Sequence, residues 1–379
     1  MPTRSKTHKS SRRVTVPSPP RGIPDRLLLN ATDEILPPKG LLVLVSGTAL
    51  AKHLVNLRRD VAWTIFTPEH FYLDAVVRAL NEDDSGDESP EEDLPQVDLF
   101  CMPDLPEGEF DTVVFATEAR SVAELTRDLL QQIADRLKPN GRLIISTDNP
   151  RDHWLHEQLR TMFGRTTVKK DKRGTCYIAR KGAGPKKRRE FRAEFAFRDG
   201  ETLIRCASRP GVFSHRRVDA GARALLRSLE LLNDASTKGI MSPRRIVELG
   251  CGCGAVAVAA ALRFPEASVL AVDSHARAVQ STEQTARLNN AANVAVMLTS
   301  NGILPHAGTY ELFLTNPPYY SDFRISELFL QSAEAALTPG GRLHLVTKLT
   351  EWHRNRMTEI FGNVDVHRYG DYDVLCSVR

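Results

Sequence analysis

Residues 110–117, FDTVVFAT, match residues 310–317, YELFLTNP, and residues 137–145, LKPNGRLII, match residues 337–345, LTPGGRLHL; both pairs are 200 positions apart. Between the paired windows lie two amphipathic stretches, ELTRDLLQQIADRL and ELFLQSAEAAL. Each copy therefore reads strand, loop, helix, a turn with Pro and Gly, strand. A weaker match lies upstream, between LLVLVSGTAL at 41–50 and IVELGCGCGA at 246–255. One short window can match by chance, but two in a single register rarely do. Strands alternating with helices imply a doubly wound, largely parallel sheet, and 379 residues suffice for two such domains. The expected organisation is two related α/β domains in tandem, residues 36–180 and 191–379. A basic, polar tail over 1–35 precedes them and is expected to be unfolded, and a basic linker over 181–190 joins them.

The copies differ where chemistry would sit. The second has Glu248-Leu249-Gly250-Cys251-Gly252-Cys253-Gly254 between a strand and a helix, whereas the first has only Gly47 in the corresponding turn. Three glycines there let backbone approach a ligand and let helix and strand meet closely. The turn alone is compatible with NAD, FAD or S-adenosylmethionine. Glu248, two residues before the first glycine, is placed to accept a hydrogen bond from a cofactor amine, or else to face the start of the helix. Asp273, at the tip of the strand ASVLAVD, is placed for ribose hydroxyls, and the first copy has WTIFTP there, without an acid at the tip. Asn301, in LTSNGIL, is placed at an adenine edge, although Asn-Gly is also an ordinary turn.

The second copy also carries Asn316-Pro317-Pro318-Tyr319 where the first has Ala116-Thr117-Glu118-Ala119. Proline cannot donate to a sheet ladder, so the strand must stop there, and the residue before each proline is held extended. The result is a stiff stub projecting an amide and a phenol ring.

Charge points to a partner. Residues 82–93, EDDSGDESPEED, hold eight of the 47 acidic residues, a block with too little apolar surface to fold. Setting it aside moves the balance from +4 to +12. The basic residues cluster in the N-terminal tail, in KKDKR at 169–173 and in PKKRRE at 185–190, as a polyanion-binding protein would have them. No apolar run is long enough for a membrane span. Scattered cysteines argue for a reducing cytoplasm, and Cys251-x-Cys253 has no second Cys or His pair at metal spacing, so no metal is expected.

Taken together, VELGCGCG, Asp273, Asn301 and NPPY resemble class I S-adenosyl-L-methionine-dependent methyltransferases that modify a planar amino nitrogen. Within that class the chain is similar over most of its length to the bacterial ribosomal RNA guanine-N2 methyltransferases. RPGVFSHRRVDAGARALLRSL at 209–229 matches a stretch that precedes the glycine turn in that family. The resemblance implies two tandem Rossmann-like domains with seven-stranded mixed sheets, the N-terminal one degenerate. It implies S-adenosyl-L-methionine as cofactor, ribosomal RNA or a ribosomal subunit as partner, and a cytoplasmic monomer.

On that resemblance the exocyclic amine of a flipped base is oriented by the Asn316 side-chain oxygen and the Pro317 carbonyl, with Tyr319 stacked on the ring and Pro318 stiffening the contact. Lys348, Arg216 and Arg217 are candidates for the substrate side, and Trp352 for the border of the cleft. Phe213 taken alone reads as a core residue, and with Ser214 as a cover for the cofactor. The family usually has Phe and then His after the two prolines, whereas Tyr319-Tyr320 follow here. Guanine, the adenine 6-amino group and a protein glutamine amide therefore all remain open as targets. A non-catalytic RNA-binding or ribosome assembly protein is the alternative of another class.

Overall fold

A computed structural model describes residues 22–81, 96–185, 187–233, 242–318 and 322–379. The acidic block at 82–93, most of the basic tail and Tyr319 lie outside them.

The first sheet is built from β1 (Lys39–Val43), β2 (Ala62–Thr67), β3 (Val97–Cys101), β4 (Phe110–Thr117), β5 (Leu137–Thr147), β6 (Thr166–Lys170) and β7 (Thr175–Arg180). Its order is β3-β2-β1-β4-β5-β7-β6, with β7 antiparallel to β5 and to β6. A hairpin, β8 (Ala193–Asp199) and β9 (Thr202–Ser208), follows. The second sheet contains β10 (Arg245–Leu249), β11 (Ser268–Asp273), β12 (Val294–Leu298), β13 (Tyr310–Thr315), β14 (Leu337–Thr347), β15 (Asp365–Tyr369) and β16 (Tyr372–Val378). Its order, β12-β11-β10-β13-β14-β16-β15, repeats the first strand for strand.

The duplication reaches down to an irregularity. In the first sheet the β4–β5 register jumps from Phe110↔Leu137 to Thr112↔Arg142, and in the second the β13–β14 register jumps from Tyr310↔Leu337 to Leu312↔Arg342. Gly141 and Gly341 sit in these bulges, where a Cβ would press to about 3 Å from carbonyl oxygens of the neighbouring strand. The shared Pro-x-Gly-Arg pattern thus encodes a bulge inside one long strand.

Helices cover both faces of each sheet. On the first, α1 (Ile23–Leu29), α2 (Ala49–Leu57) and α3 (His70–Asn81) bury Leu28, Leu50, Leu54 and Val76, while α4 (Ala123–Arg136) and α5 (Trp154–Met162) bury Leu129, Ile133 and Leu159 on the other face. On the second, α6 (Ala220–Ser228), α7 (Ala255–Arg263) and α8 (Ala276–Leu288) oppose α9 (Arg324–Ala336) and α10 (Thr350–Phe361). Small side chains let α7 sit close to its strand, so Ala255 to Ala261 are all buried.

The expected unfolded tail is corrected over residues 22–35. These form α1 and a short 3-10 turn, with Leu28 and Ile35 buried and Ser146 Oγ donating to the Pro24 carbonyl at 2.9 Å. Pro24 and Leu28, four residues apart on one face of α1, supply the buried side that makes this ordering favourable. Among the described residues no helix is long and apolar enough to cross a membrane.

Candidate active site

In the second sheet β10 pairs with β11 on one side and β13 on the other, with Leu249 opposite both Val272 and Thr315. The strand order reverses at β10, and in open α/β sheets the crevice beyond the carboxyl ends at such a point is where ligands bind.

The turn after β10 is fixed by its glycines. Gly250, Gly252 and Gly254 have φ of 84°, 55° and 78°, in the left-handed region. Gly250 N and Cys251 N both donate to the Val272 carbonyl, at 2.8 and 3.0 Å. A Cβ on Gly254 would come within 3.0 Å of Thr282, so this glycine permits α7 and α8 to pack. A Cβ on Gly252 would meet nothing within 4 Å, so its backbone faces open space. Asp273 stands beside it: Oδ2 accepts from Gly252 N at 2.9 Å and Oδ1 from His275 N at 2.9 Å. Burial raises the Asp273 carboxyl above its ordinary value, and those backbone N–H groups pull it back. A bare left-handed turn with a carboxylate at its middle amide fits the adenosyl and ribose portions of a nucleoside cofactor.

Glu248 takes the helix-facing option. It is 3% exposed and its Oε2 accepts from Ala257 N, in the first turn of α7, at 2.7 Å. Burial pushes its carboxyl well above the usual carboxylate range. Asn301 is likewise engaged locally: its Oδ1 accepts from Ile303 N at 2.9 Å and from Thr299 Oγ1 at 2.9 Å, as in an Asx turn.

At the tip of β13 the prolines have the predicted effect. In the first sheet Ala116 and Thr117 continue the ladder opposite Ser146 and Thr147, whereas β13 stops pairing at Thr315. Thr315 Oγ1 donates to the Leu249 carbonyl at 2.9 Å, which ties this tip to the glycine strand. The Asn316 amide nitrogen donates to Asp219 Oδ2 at 3.2 Å. Asp219 also caps α6, accepting from Gly221 N at 2.8 Å and Ala222 N at 3.3 Å. Pro317 is buried, and Asn316 and Pro318 are half-buried.

Where the chain re-enters the described residues, Asp322 and Phe323 both have positive φ, 48° and 62°. A left-handed Phe is a strained conformation that its surroundings must hold. Trp352 does so, stacking on the Phe323 ring at 4.3 Å between centroids and 12° between planes, with His353 at the ring edge. Lys348 Nζ lies 4.5 Å over the Tyr372 ring. Arg217 is exposed. Arg216 is also exposed, with its Nη2 3.2 Å from both carboxylate oxygens of Glu124 in the first domain. Phe213 is 68% exposed, which corrects its reading as a core residue, and the left-handed Gly211 and Ser214 on either side turn it outward.

Charge pairs across the two copies escaped the sequence reading. Arg277, fully buried, pairs with Asp128 at 2.8 Å and donates to the carbonyls of Pro103 at 2.7 Å and Pro210 at 3.0 Å. Arg209 pairs with Asp104 and donates to Gln280 Oε1 at 2.6 Å. Both arginines look like surface charge in the sequence, because the acids they pair with lie in the first copy.

This is the architecture of a class I S-adenosyl-L-methionine-dependent methyltransferase in its second half, with an earlier copy of the same sheet docked against it. Residues 204–376 match the methyltransferase small domain family. Over 366 residues the chain is 26% identical to Ribosomal RNA small subunit methyltransferase C of Shewanella halifaxensis, covering 93% of this chain and 98% of that one. Over 162 residues it is 35% identical to Ribosomal RNA large subunit methyltransferase G of Streptomyces avermitilis, covering 41% of this chain and 40% of that one. A 16S rRNA N2 methyltransferase of T. thermophilus, solved with AdoMet and guanosine, shares the fold with a TM-score of 0.72 at 21% identity, covering 95% of this chain and 92% of that one. Its second half thus carries a methyltransferase small domain, and nearly the whole chain is similar to ribosomal RNA methyltransferases.

Proposed function

We propose that the second domain methylates the exocyclic 2-amino group of a guanine in ribosomal RNA, presented as naked RNA or in a ribosomal subunit, and that the protein acts as a monomer in the cytoplasm. The observation that carries this reading is the tip of β13. Asn316 and Pro317 are released from the sheet ladder directly beside the glycine turn, so two acceptors stand next to the cofactor crevice.

S-adenosyl-L-methionine supplies, when bound, a methyl group activated on a sulfonium. The residues that would hold it are Gly250, Gly252 and Gly254 through their backbone, Asp273 at the ribose, and Glu248 and Asn301 through whatever capacity their local bonds leave. The protein's own task is to orient a poor nucleophile, since the lone pair of a purine amine is delocalised into the ring. The Asn316 side-chain oxygen and the Pro317 carbonyl accept its two N–H bonds and aim the nitrogen at the methyl group. The two prolines have already fixed this backbone, so little entropy is lost when the base arrives. The flipped base stacks on the Tyr319 ring, with Pro318 stiffening the contact. Arg217 and Lys348 face the RNA backbone, and Arg216 helps through its hold on Glu124. Similarity over nearly the whole chain to a ribosomal RNA enzyme favours RNA over a protein glutamine.

Asn316→Ala tests the reading. It should leave cofactor affinity within about twofold and slow methyl transfer by about a hundredfold or more, as when a positioned transition-state partner is lost. Transfer at the normal rate would remove the amine-orienting role. Mass spectrometry of ribosomal RNA from a deletion strain identifies the modified base.

A further inference from the structure

We infer that Asp219 is a positioning residue for the reaction, fixing the side-chain amide of Asn316 so that its oxygen faces the incoming amine; the inference rests on the role proposed above for Asn316. An ionised carboxylate only accepts hydrogen bonds. The amide atom 3.2 Å from Asp219 Oδ2 must therefore be the nitrogen, and the planar amide then turns its oxygen away from Asp219. Without that partner the amide is free to flip and present N–H groups to an amine that needs acceptors.

Asp219 is itself held in place. The oxygen that receives Asn316 also receives Gly221 N and Ala222 N, and the helix it caps is anchored by the buried Leu225 and Leu226. Gly221 keeps the junction clear: a Cβ there would lie 2.7 Å from Asp219 Oδ2, 3.1 Å from Tyr372 Cε1 and 3.2 Å from Asn316 Nδ2. The negative charge on the amide N–H side also polarises the amide, making its oxygen a stronger acceptor as the attacking nitrogen gains positive charge. This gives a chemical reason for an Asp followed two residues later by Gly at 219–221, almost a hundred positions before the asparagine they serve.

Asp219→Ser separates capping from positioning, because serine still caps a helix but is too short to reach Asn316. In the full-length protein it should lower kcat on ribosomal RNA about tenfold to a hundredfold, the order expected for one hydrogen bond to a charged group. Cofactor Kd, RNA KM and the thermal midpoint should change little. In the Asn316→Ala background the same substitution should cost nothing further. A wild-type kcat for Asp219→Ser, or a full multiplicative loss in the double variant, overturns the inference. If Asp219→Ser does not fold, Gly221→Ala tests the same contact by pressing a methyl group between the two side chains. It should slow transfer in the wild type and have no effect in the Asn316→Ala background, and an unchanged wild-type rate counts against the inference. An active Asn316→Ala would reject the parent reading, whereas an inactive Asn316→Ala with a fully active Asp219→Ser rejects only the role of Asp219.

Discussion

Glu69 and His275 face one another in an isolated antiparallel bridge, each two residues past the end of the corresponding strand in its own copy. His70 N donates to the Ser274 carbonyl at 2.8 Å, Ala276 N to the Pro68 carbonyl at 2.7 Å, and Ser274 Oγ to Glu69 Oε2 at 3.1 Å. Two equivalent strand tips thus clasp each other about a local two-fold. In the second copy the tip carries Asp273, so the first copy braces the residue proposed to hold the ribose.

Glu69 makes this clasp sensitive to pH. Burial, and next the nearby Asp273, push its carboxyl up to about 7, against the ordinary 4.5. The folded chain then keeps a proton on Glu69 between those values while the unfolded chain loses it. The stability this proton confers is complete below about 4.5 and is lost as the pH rises through about 7. Glu69→Gln should therefore gain thermal midpoint relative to the wild type over that window and hold its advantage above it. Calorimetric scans across the window that show a constant difference would refute this.

Much of the architecture is legible in the sequence because it was written twice. The 200-residue register between the two Pro-x-Gly-Arg segments fixes both sheets, and the prolines after Asn316 fix where β13 must end. What could not be read was what the polar residues do for one another. Glu248 reads as facing either a cofactor amine or the start of the helix, and only the fold shows that it accepts from the Ala257 amide. Arg216 reads as a candidate RNA contact, and only folding shows that it also pairs with Glu124. Asp219, Arg209 and Arg277 likewise take their roles from partners that only the fold supplies, and no periodicity records such pairs.

The buried arginine is the severest case. Burial pulls the Arg277 guanidinium down to about 10, with Asp128 and Asp104 opposing the shift. Arg277→Ala would remove one of the two buried cations that face Asp104 and Asp128, leaving only Arg209 there, and would leave two carbonyls without a donor. Breaking such a pair typically costs about 3–5 kcal/mol. Urea unfolding of the full chain should show a loss of this order, and a loss below about 1 kcal/mol would mean that the docked copies hold together without the pair.

Asp273→Ala should weaken S-adenosyl-L-methionine binding by about 1.5–3 kcal/mol, the range for hydrogen bonds to a charged group. Part of that loss comes from the Gly252 amide, which the Asp273 carboxylate now holds. Asp273→Asn keeps an acceptor oxygen for that amide and should lose less. Titration calorimetry on the folded variants distinguishes the outcomes, and unchanged affinity in Asp273→Ala would remove this residue from the cofactor site.

The first copy should bind no cofactor, and the full-length chain can show it. Gly47 does not have the positive φ of the three glycines after β10. Thr67, at the equivalent strand tip, has no carboxylate, and its Oγ1 accepts from Glu69 N at 3.1 Å. Ala116 and Thr117 remain in the ladder, where their backbone groups serve the sheet. A single cofactor should therefore bind per chain. Gly252→Val should abolish it, because a β-branched residue resists φ near 55° and its side chain would fill the open space at the turn. Calorimetry should give a stoichiometry near one for the wild type and no heat of binding for Gly252→Val. A second equivalent in the wild type, or saturable binding that survives Gly252→Val, would place a working site in the first copy.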